Sequence, residues 1–301
     1  MSTTGGDGGP WKPRGLRPEG GRGGPRPDGG RGGPRPPRRL APPRPAAPQA
    51  PAGTRPERRA EIRLYGMNAV QAVFARRPDA IRKLYLVGPR IPQLQPLLKW
   101  CVANRVGYRV VEDEAELARL AGSDRHEGIV ADVLRLPEPA LGAWLPSLPE
   151  GPQCLLWLDG VGNPHNLGAI LRSAAHFGVA GVLLPEASDL AISGAAARVA
   201  EGGAEAVPLV RMGSAESAMQ CLRDAGFTLA ATVVEGGQEL FASPVPKRLV
   251  YVIGAEGEGM DRSLAGACDL RLSIPGTGAV ESLNVASATA VLLAAWARAQ
   301  P

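Results

Sequence analysis

Apolar residues along this chain take up structural periods only after about residue 60. "RLYGMNAVQAVFARR" (63–77) opens the ordered part. An apolar run follows at "KLYLV" (83–87), then a helical pattern through "LLKWCVANR" and a strand-like "YRVV" (108–111). A helix at "EAELARLA" and a strand at "GIVADVL" complete a small α/β unit over 61–134. The next stretch, "RLPEPALGAWLPSLPEGP", holds five prolines and reads as a linker over 135–152. From 153 to 301 continuous apolar runs recur: "CLLWL", "VAGVLLP", "AVPLV", "FTLAATVV", "LVYVIG" and "LRLSI". Helix-compatible segments separate most of them. Continuous runs alternating with helices predict an α/β domain with a mainly parallel sheet covered on both faces. In such sheets functional loops gather at the carboxyl ends of the strands.

Three loops in those positions carry unusual residues. The first, Asp159–Gly168, leads into a helix in which Leu167, Ile170, Leu171 and Ala174 form an apolar stripe. Asn166 is placed to cap a helix beginning near Leu167. At about 100° per residue, Arg172 lies roughly 140° from the stripe. It is therefore kept off the core, either solvated or aimed at a site. The second loop, "VIGAEGEGM" (252–260), crowds glycines at a strand end, which permits close backbone approach. Its G-x-x-G-x-G spacing is not that of a dinucleotide site, G-K-[ST] is missing, and no clear helix start follows directly. Glu256 can accept a hydrogen bond there. The third loop delivers Ser282, Leu283 and Asn284 to a long Ala-rich helix, apolar on most faces and so expected to be buried. Ser282 or Asn284 is its natural cap. Taken singly, each loop reads as structural before it reads as chemical.

Charge changes the picture of the first 60 residues. They hold thirteen Lys/Arg and four Asp/Glu, a balance of +9, whereas the whole chain carries +5 and residues 61–301 therefore about −4. Gly, Pro, Arg and Ala dominate the segment. Such a composition buries too little apolar surface to offset the entropy of ordering, so residues 1–60 read as a disordered basic tail. Its Arg/Gly patches are an electrostatic hook for a polyanion, RNA above all. Cys101, Cys154, Cys221 and Cys268 are widely spaced, and His126, His165 and His176 have no metal-ligand spacing. Free thiols and no metal site follow. The apolar stretch 285–297 is too short to span a bilayer, and no signal peptide is evident. A cytoplasmic protein is expected.

In order, the loops read N-x-G-x-x-x-R-x-x-x-x-F-G (Asn166, Gly168, Arg172, Phe177, Gly178), I-G-A-E-G-E-G (253–259) and S-L-N-V (282–285). This resembles the three motifs of the SpoU/TrmH family, RNA ribose 2′-O-methyltransferases of the SPOUT class. The resemblance runs from Cys154 to the C-terminus, with "EGGAEAVPL" (201–209) adding to it. "YGMNAV" and "HEGIVADV" resemble the family's small, L30e-like substrate-binding domain. The basic tail departs from the compact members.

The resemblance implies a trefoil-knotted methyltransferase domain, S-adenosylmethionine as cofactor, rRNA or tRNA as partner, and a homodimer. It implies that Gly254, Ile274 and Leu283 hold the cofactor. It also implies that Arg172 serves the acceptor nucleotide, with Asn166, Glu256, Ser282 and Asn284 supporting the geometry. A guanidinium offers no lone pair and has a pKa above about 12, so Arg172 is better suited to fix a phosphate and a developing alkoxide than to act as a base. Base methylation and an RNA-binding assembly factor without catalysis are the competing readings. The glycine spacing speaks against a nucleotide-dependent dehydrogenase.

Overall fold

The computed structural model describes residues 60–255 and 259–300; the basic tail through residue 59 and Glu256 lie outside the described residues. The first sheet contains β1 (Glu61–Tyr65), β2 (Ile81–Val87), β3 (Gly107–Val111) and β4 (Ile129–Leu134), in the order β1-β4-β2-β3. β4 runs antiparallel to both neighbours, and β2 and β3 are parallel. Helices α1 (Met67–Arg76), α2 (Gln95–Ala103) and α3 (Glu114–Ala121) connect them. Local chemistry sets the bounds of α3. Asp113 accepts a bond from the Glu116 amide at 2.6 Å, and Gly122 closes the helix at φ 65°.

The proline-rich stretch 135–152 is more than extended chain. It forms α4 (Leu141–Trp144), and Leu141 and Leu145 join the apolar cluster of Leu155, Trp157 and Leu183. Arg211 fastens its start, with Nε 2.6 Å from Glu138 Oε2 and its amide donating to Pro139 O at 2.9 Å.

The second sheet comprises β5 (Gln153–Leu158), β6 (Gly181–Pro185), β7 (Leu209–Met212), β8 (Thr228–Thr232), β9 (Gln238–Glu239), β10 (Arg248–Ile253) and β11 (Leu270–Ser273). Their order is β7-β6-β5-β10-β8-β11-β9, and every pairing is parallel. All six apolar runs became strands. The two-residue β9 is too short and polar to announce itself. Helices α5 (Pro164–His176), α6 (Gly194–Val199), α7 (Gly203–Ala206), α8 (Ala215–Asp224), α9 (Arg262–Ala267) and α10 (Val285–Ala299) complete the domain.

Alternation within the strands divides the core. Cys154, Leu156, Leu158 and Tyr251 share a cluster with Leu167 and Leu171 of α5 and Leu293 of α10. Leu155, Trp157, Val250 and Val252 share another with Leu222 of α8 and Leu264 of α9. The sheet is thus covered on both faces, as a parallel sheet requires. The first cluster also takes in Leu64, Val70, Val73 and Leu84, so one apolar core runs from the small unit into the larger domain.

The last helix differs from expectation. Its buried residues are Val285, Thr289, Leu292, Leu293 and Trp296, one stripe rather than most of its circumference, and Ala294 is exposed. Alanine is small enough for either environment, so an Ala-rich pattern says little about which faces are covered. No helix among the described residues is long and apolar enough to cross a membrane.

Candidate active site at the carboxyl ends of the parallel strands

β5 and β10 are neighbours, yet the chain leaves β5 for β6 on one side while β8 flanks β10 on the other. The order reverses between them, the place where an open parallel sheet presents its functional loops. The first two loaded loops leave β5 and β10 at that point, and the third follows β11.

The helix after β5 begins earlier than its sequence suggests. Asn163, not Asn166, is the cap, accepting from the His165 amide at 2.9 Å, and Pro164 is the first helical residue. Proline suits that position because its missing N–H would have had no partner there and its φ is already helical. Asn166 therefore lies in the first turn, half-buried, where its Oδ1 accepts from Asn284 Nδ2 at 3.2 Å. The Asn284 oxygen caps α10, accepting from the amides of Ala286 (2.9 Å) and Ser287 (3.4 Å). One side chain thus starts the last helix and ties it to the first loop, 118 residues away.

The second loop meets the first. The Asp159 amide donates to Ile253 O at 2.8 Å. Gly160, at φ 78°, sits so close to Ala255 that an added Cβ would lie 3.0 Å from the alanine methyl. Gly254 answers to the loop itself: a Cβ there would lie 2.5 Å from the Met260 nitrogen, where the chain folds back and the Gly259 amide donates to Ala255 O at 3.1 Å. A helix does start just beyond. Asp261 caps α9 by accepting from Ser263 N (2.8 Å) and Leu264 N (3.0 Å). The Ser263 hydroxyl and these amides hold its carboxyl below the usual range. The helix has only six residues, too few to show a period.

Asp159 was missed by sequence reasoning. Its carboxyl is pushed up by burial first and by the Asp261 charge second. The signal was available as an acidic residue ending an apolar run at the switch point.

Ser282 and Leu283 are exposed in the third loop, with Leu283 at 46% and nearby Val280 at 70% exposure, while Ile274 is half-buried. Arg172 is exposed on α5, opposite the buried Leu167, Ile170, Leu171 and Ala174. None of the ion pairs among the described residues includes it. It lies about 9 Å along α5 from Asn166 and about 120° around it. The chain therefore joins Asn166 to Asn284 directly, with Arg172 nearly two turns further along α5.

Two glycines explain how α5 is seated. A Cβ at Gly168 would lie 2.5 Å from Ala196 O on α6, and one at Gly203 of α7 would lie 2.5 Å from Leu171 O. The helix carrying Arg172 is thus packed backbone to backbone against the layer of α6 and α7.

Comparison with known proteins follows this division of the chain. Residues 153–294 match the SpoU rRNA Methylase family, and residues 63–139 match the RNA 2′-O ribose methyltransferase substrate binding domain. The chain is 40% identical over 248 residues to the uncharacterized tRNA/rRNA methyltransferase YfiF of Escherichia coli O157:H7, covering 82% of this chain and 71% of that protein. It is 37% identical over 238 residues to the 23S rRNA (guanosine-2′-O-)-methyltransferase RlmB of Ralstonia nicotianae, covering 76% and 92%. In fold it resembles the AdoMet-bound rRNA methyltransferase of Sinorhizobium meliloti, with a TM-score of 0.65 at 24% identity, over 79% of this chain and 87% of that one. With its motifs at the strand ends and relatives matched over most of their length, the chain belongs to the SpoU rRNA methylase family.

Proposed function

We propose that this protein transfers a methyl group from S-adenosylmethionine to the ribose 2′-hydroxyl of a nucleotide in rRNA or tRNA. The observation that carries the reading is the Asn166–Asn284 hydrogen bond, which brings the first and third motifs together beside the switch point. Relatives at 37% and 40% identity, named as rRNA and tRNA/rRNA methyltransferases, support it.

The residues present fit such a cofactor. Exposed Leu283 and half-buried Ile274 offer apolar surface to an adenine ring at the strand ends, where Gly254 also lies. When bound, the cofactor supplies an electrophilic methyl whose leaving group is a neutral thioether. The protein's tasks are then to align the hydroxyl and to stabilise charge as its proton departs. Arg172 grips a phosphate of the acceptor and stabilises the developing alkoxide. Asn166, Asn284, Ser282 and Glu256 hold the surrounding groups by hydrogen bonds. The protein works as a homodimer in the cytoplasm, with a knotted C-terminal chain. The dimer is supported by the placement of Arg172: exposed and turned about 120° from Asn166 on one helix, it is suited to a site completed by a second copy.

The test is a map of ribose methylation in rRNA and tRNA from cells with and without the gene. Loss of one or a few 2′-O-methyl positions on deletion, restored by the purified protein with S-adenosylmethionine, is the expected result. An unchanged map together with no binding of S-adenosylmethionine overturns the assignment.

A further inference from the structure

Three carboxylates cross the seam between the small unit and the larger domain. Glu205 on α7 is paired twice with Arg77 at the end of α1, at 2.5 and 2.8 Å, and its side chain is only 4% exposed. Arg77 also donates to Leu134 O. Glu127 has one oxygen 3.0 Å from Arg198 Nε on α6, while its other oxygen accepts from the Met67 amide at 3.0 Å and so starts α1. Glu201 accepts from Asn68 on α1.

Both outer glutamates hold left-handed backbones, at φ 55° for Glu127 and 51° for Glu201. Such conformations persist in non-glycine residues only where their surroundings fix them. Close backbone approach completes the seam: a Cβ on Gly194 would lie 2.6 Å from the Tyr65 ring.

A desolvated ion pair adds little net stability, because removing both charges from water offsets most of their attraction. What it does supply is a defined geometry, since a bidentate guanidinium–carboxylate pair tolerates little rotation. A unit carried on a free tether would need no such pair. The layer that meets the small unit also meets the catalytic helix. Gly203, two residues before Glu205, packs so closely on α5 that a Cβ would lie 2.5 Å from Leu171 O and 3.0 Å from the Arg172 nitrogen.

We propose that these contacts lock the substrate-binding unit and the catalytic domain into one rigid body, with Glu205 as a positioning residue for methyl transfer. It acts through α7 on the backbone that carries Arg172. RNA held by the small unit is thereby presented to Arg172 at a fixed distance and angle. This rests on the proposed methyltransferase reading.

The test uses full-length Glu205→Gln and Arg77→Ala, with Glu201→Gln at the more accessible rim in case the buried variants fold poorly. Single-turnover transfer of labelled methyl from S-adenosylmethionine to total RNA of a deletion strain is measured with enzyme in excess. Distances between spin labels on non-natural residues at exposed Arg82 and Glu216 report the lock. The variants should broaden the distance distribution and slow transfer tenfold or more, with cofactor affinity within twofold of wild type. Arg77→Lys should recover part of the rate. A short thiol cross-linker joining Asn68→Cys to Glu201→Cys in the Glu205→Gln chain should restore most of it.

Broadened distances with an unchanged rate overturn the proposal. So does a slower rate with unbroadened distances, or a rate lost together with cofactor binding. If the wild type transfers no methyl, the enzymatic reading fails, and unbroadened distances in Glu205→Gln overturn the lock independently.

Discussion

Arg172 is the one Lys, Arg, Asp or Glu on α5 yet contributes nothing to its buried stripe. Arg172→Ala should therefore change stability by less than about 0.5 kcal/mol, as surface substitutions usually do. Methyl transfer should fall by about 10²–10³, the usual loss of one preorganised electrostatic contact. Arg172→Lys should not recover it, because a point charge cannot reproduce a planar two-pronged grip on phosphate. Melting curves and single-turnover rates on one preparation check both halves, and a normally melting variant with a near wild-type rate would return Arg172 to the solvated surface. Asp159 makes the opposite kind of prediction. Burial, then the Asp261 charge, raise its carboxyl pKa above the unfolded value. The folded state thus binds that proton more tightly, and ionised Asp159 costs stability at any pH above its folded pKa. That cost fades as pH falls through the folded pKa and is gone below the unfolded value near about 3.9. Asp159→Asn should melt higher than wild type at neutral pH, with the gap closing in acid. A gap that widens in acid would mean the carboxylate is held by a favourable contact instead.

At the scale of elements, one of the tightest fits is where α5 crosses α6. Gly168→Ala gains helix propensity of up to about 1 kcal/mol. Against that, the new methyl would lie 2.5 Å from Ala196 O and 2.7 Å from Val199 Cβ, distances that no real Cβ tolerates. Overpacking of this kind costs about 1–3 kcal/mol and should win. Gly266→Ala is the control, since α9 leaves open space there and propensity alone should act. Chemical denaturation of the two variants should show Gly168→Ala destabilised and Gly266→Ala neutral or more stable. These crossings also mark what could be read in advance. The apolar runs from Cys154 onward gave up every long strand of the parallel sheet, because a strand buried on both faces must be apolar throughout. The motifs placed Asn166 and Asn284 in loops that the fold then joined. Unreadable were features that depend on partners distant in the chain: the Asp159–Asp261 proximity, the tight seats of Gly168 and Gly203, and the pairing of Glu205 with Arg77. Local chemistry misplaced the α5 cap by three residues because two asparagines and a proline compete for one helix start.

For the whole molecule, the decisive asymmetry is electrostatic. The first 60 residues carry +9 and the rest about −4. A polyanionic substrate therefore gains little net long-range attraction from residues 61–301, where several arginines are moreover paired with carboxylates: Arg77 with Glu205, Arg198 with Glu127, Arg211 with Glu138 and Arg223 with Asp269. The tail, by its composition, is the segment suited to supply that attraction. Its charges release counterions when they neutralise phosphates, each contributing roughly −0.7 to the log–log salt slope on single strands. Deleting residues 1–57 should leave S-adenosylmethionine affinity and the melting temperature of the remaining protein unchanged. RNA affinity should fall, and the salt slope should shrink by several of those increments. The discrimination among RNA sites should survive, because arginine contacts to phosphates position a chain on RNA and carry no sequence information. Filter binding across a salt series, with the deleted and full chains compared on the same RNA, measures both quantities. Equal affinity and equal slope would mean the tail does not touch the RNA. A slope unchanged beside a weaker affinity would mean it contributes something other than charge.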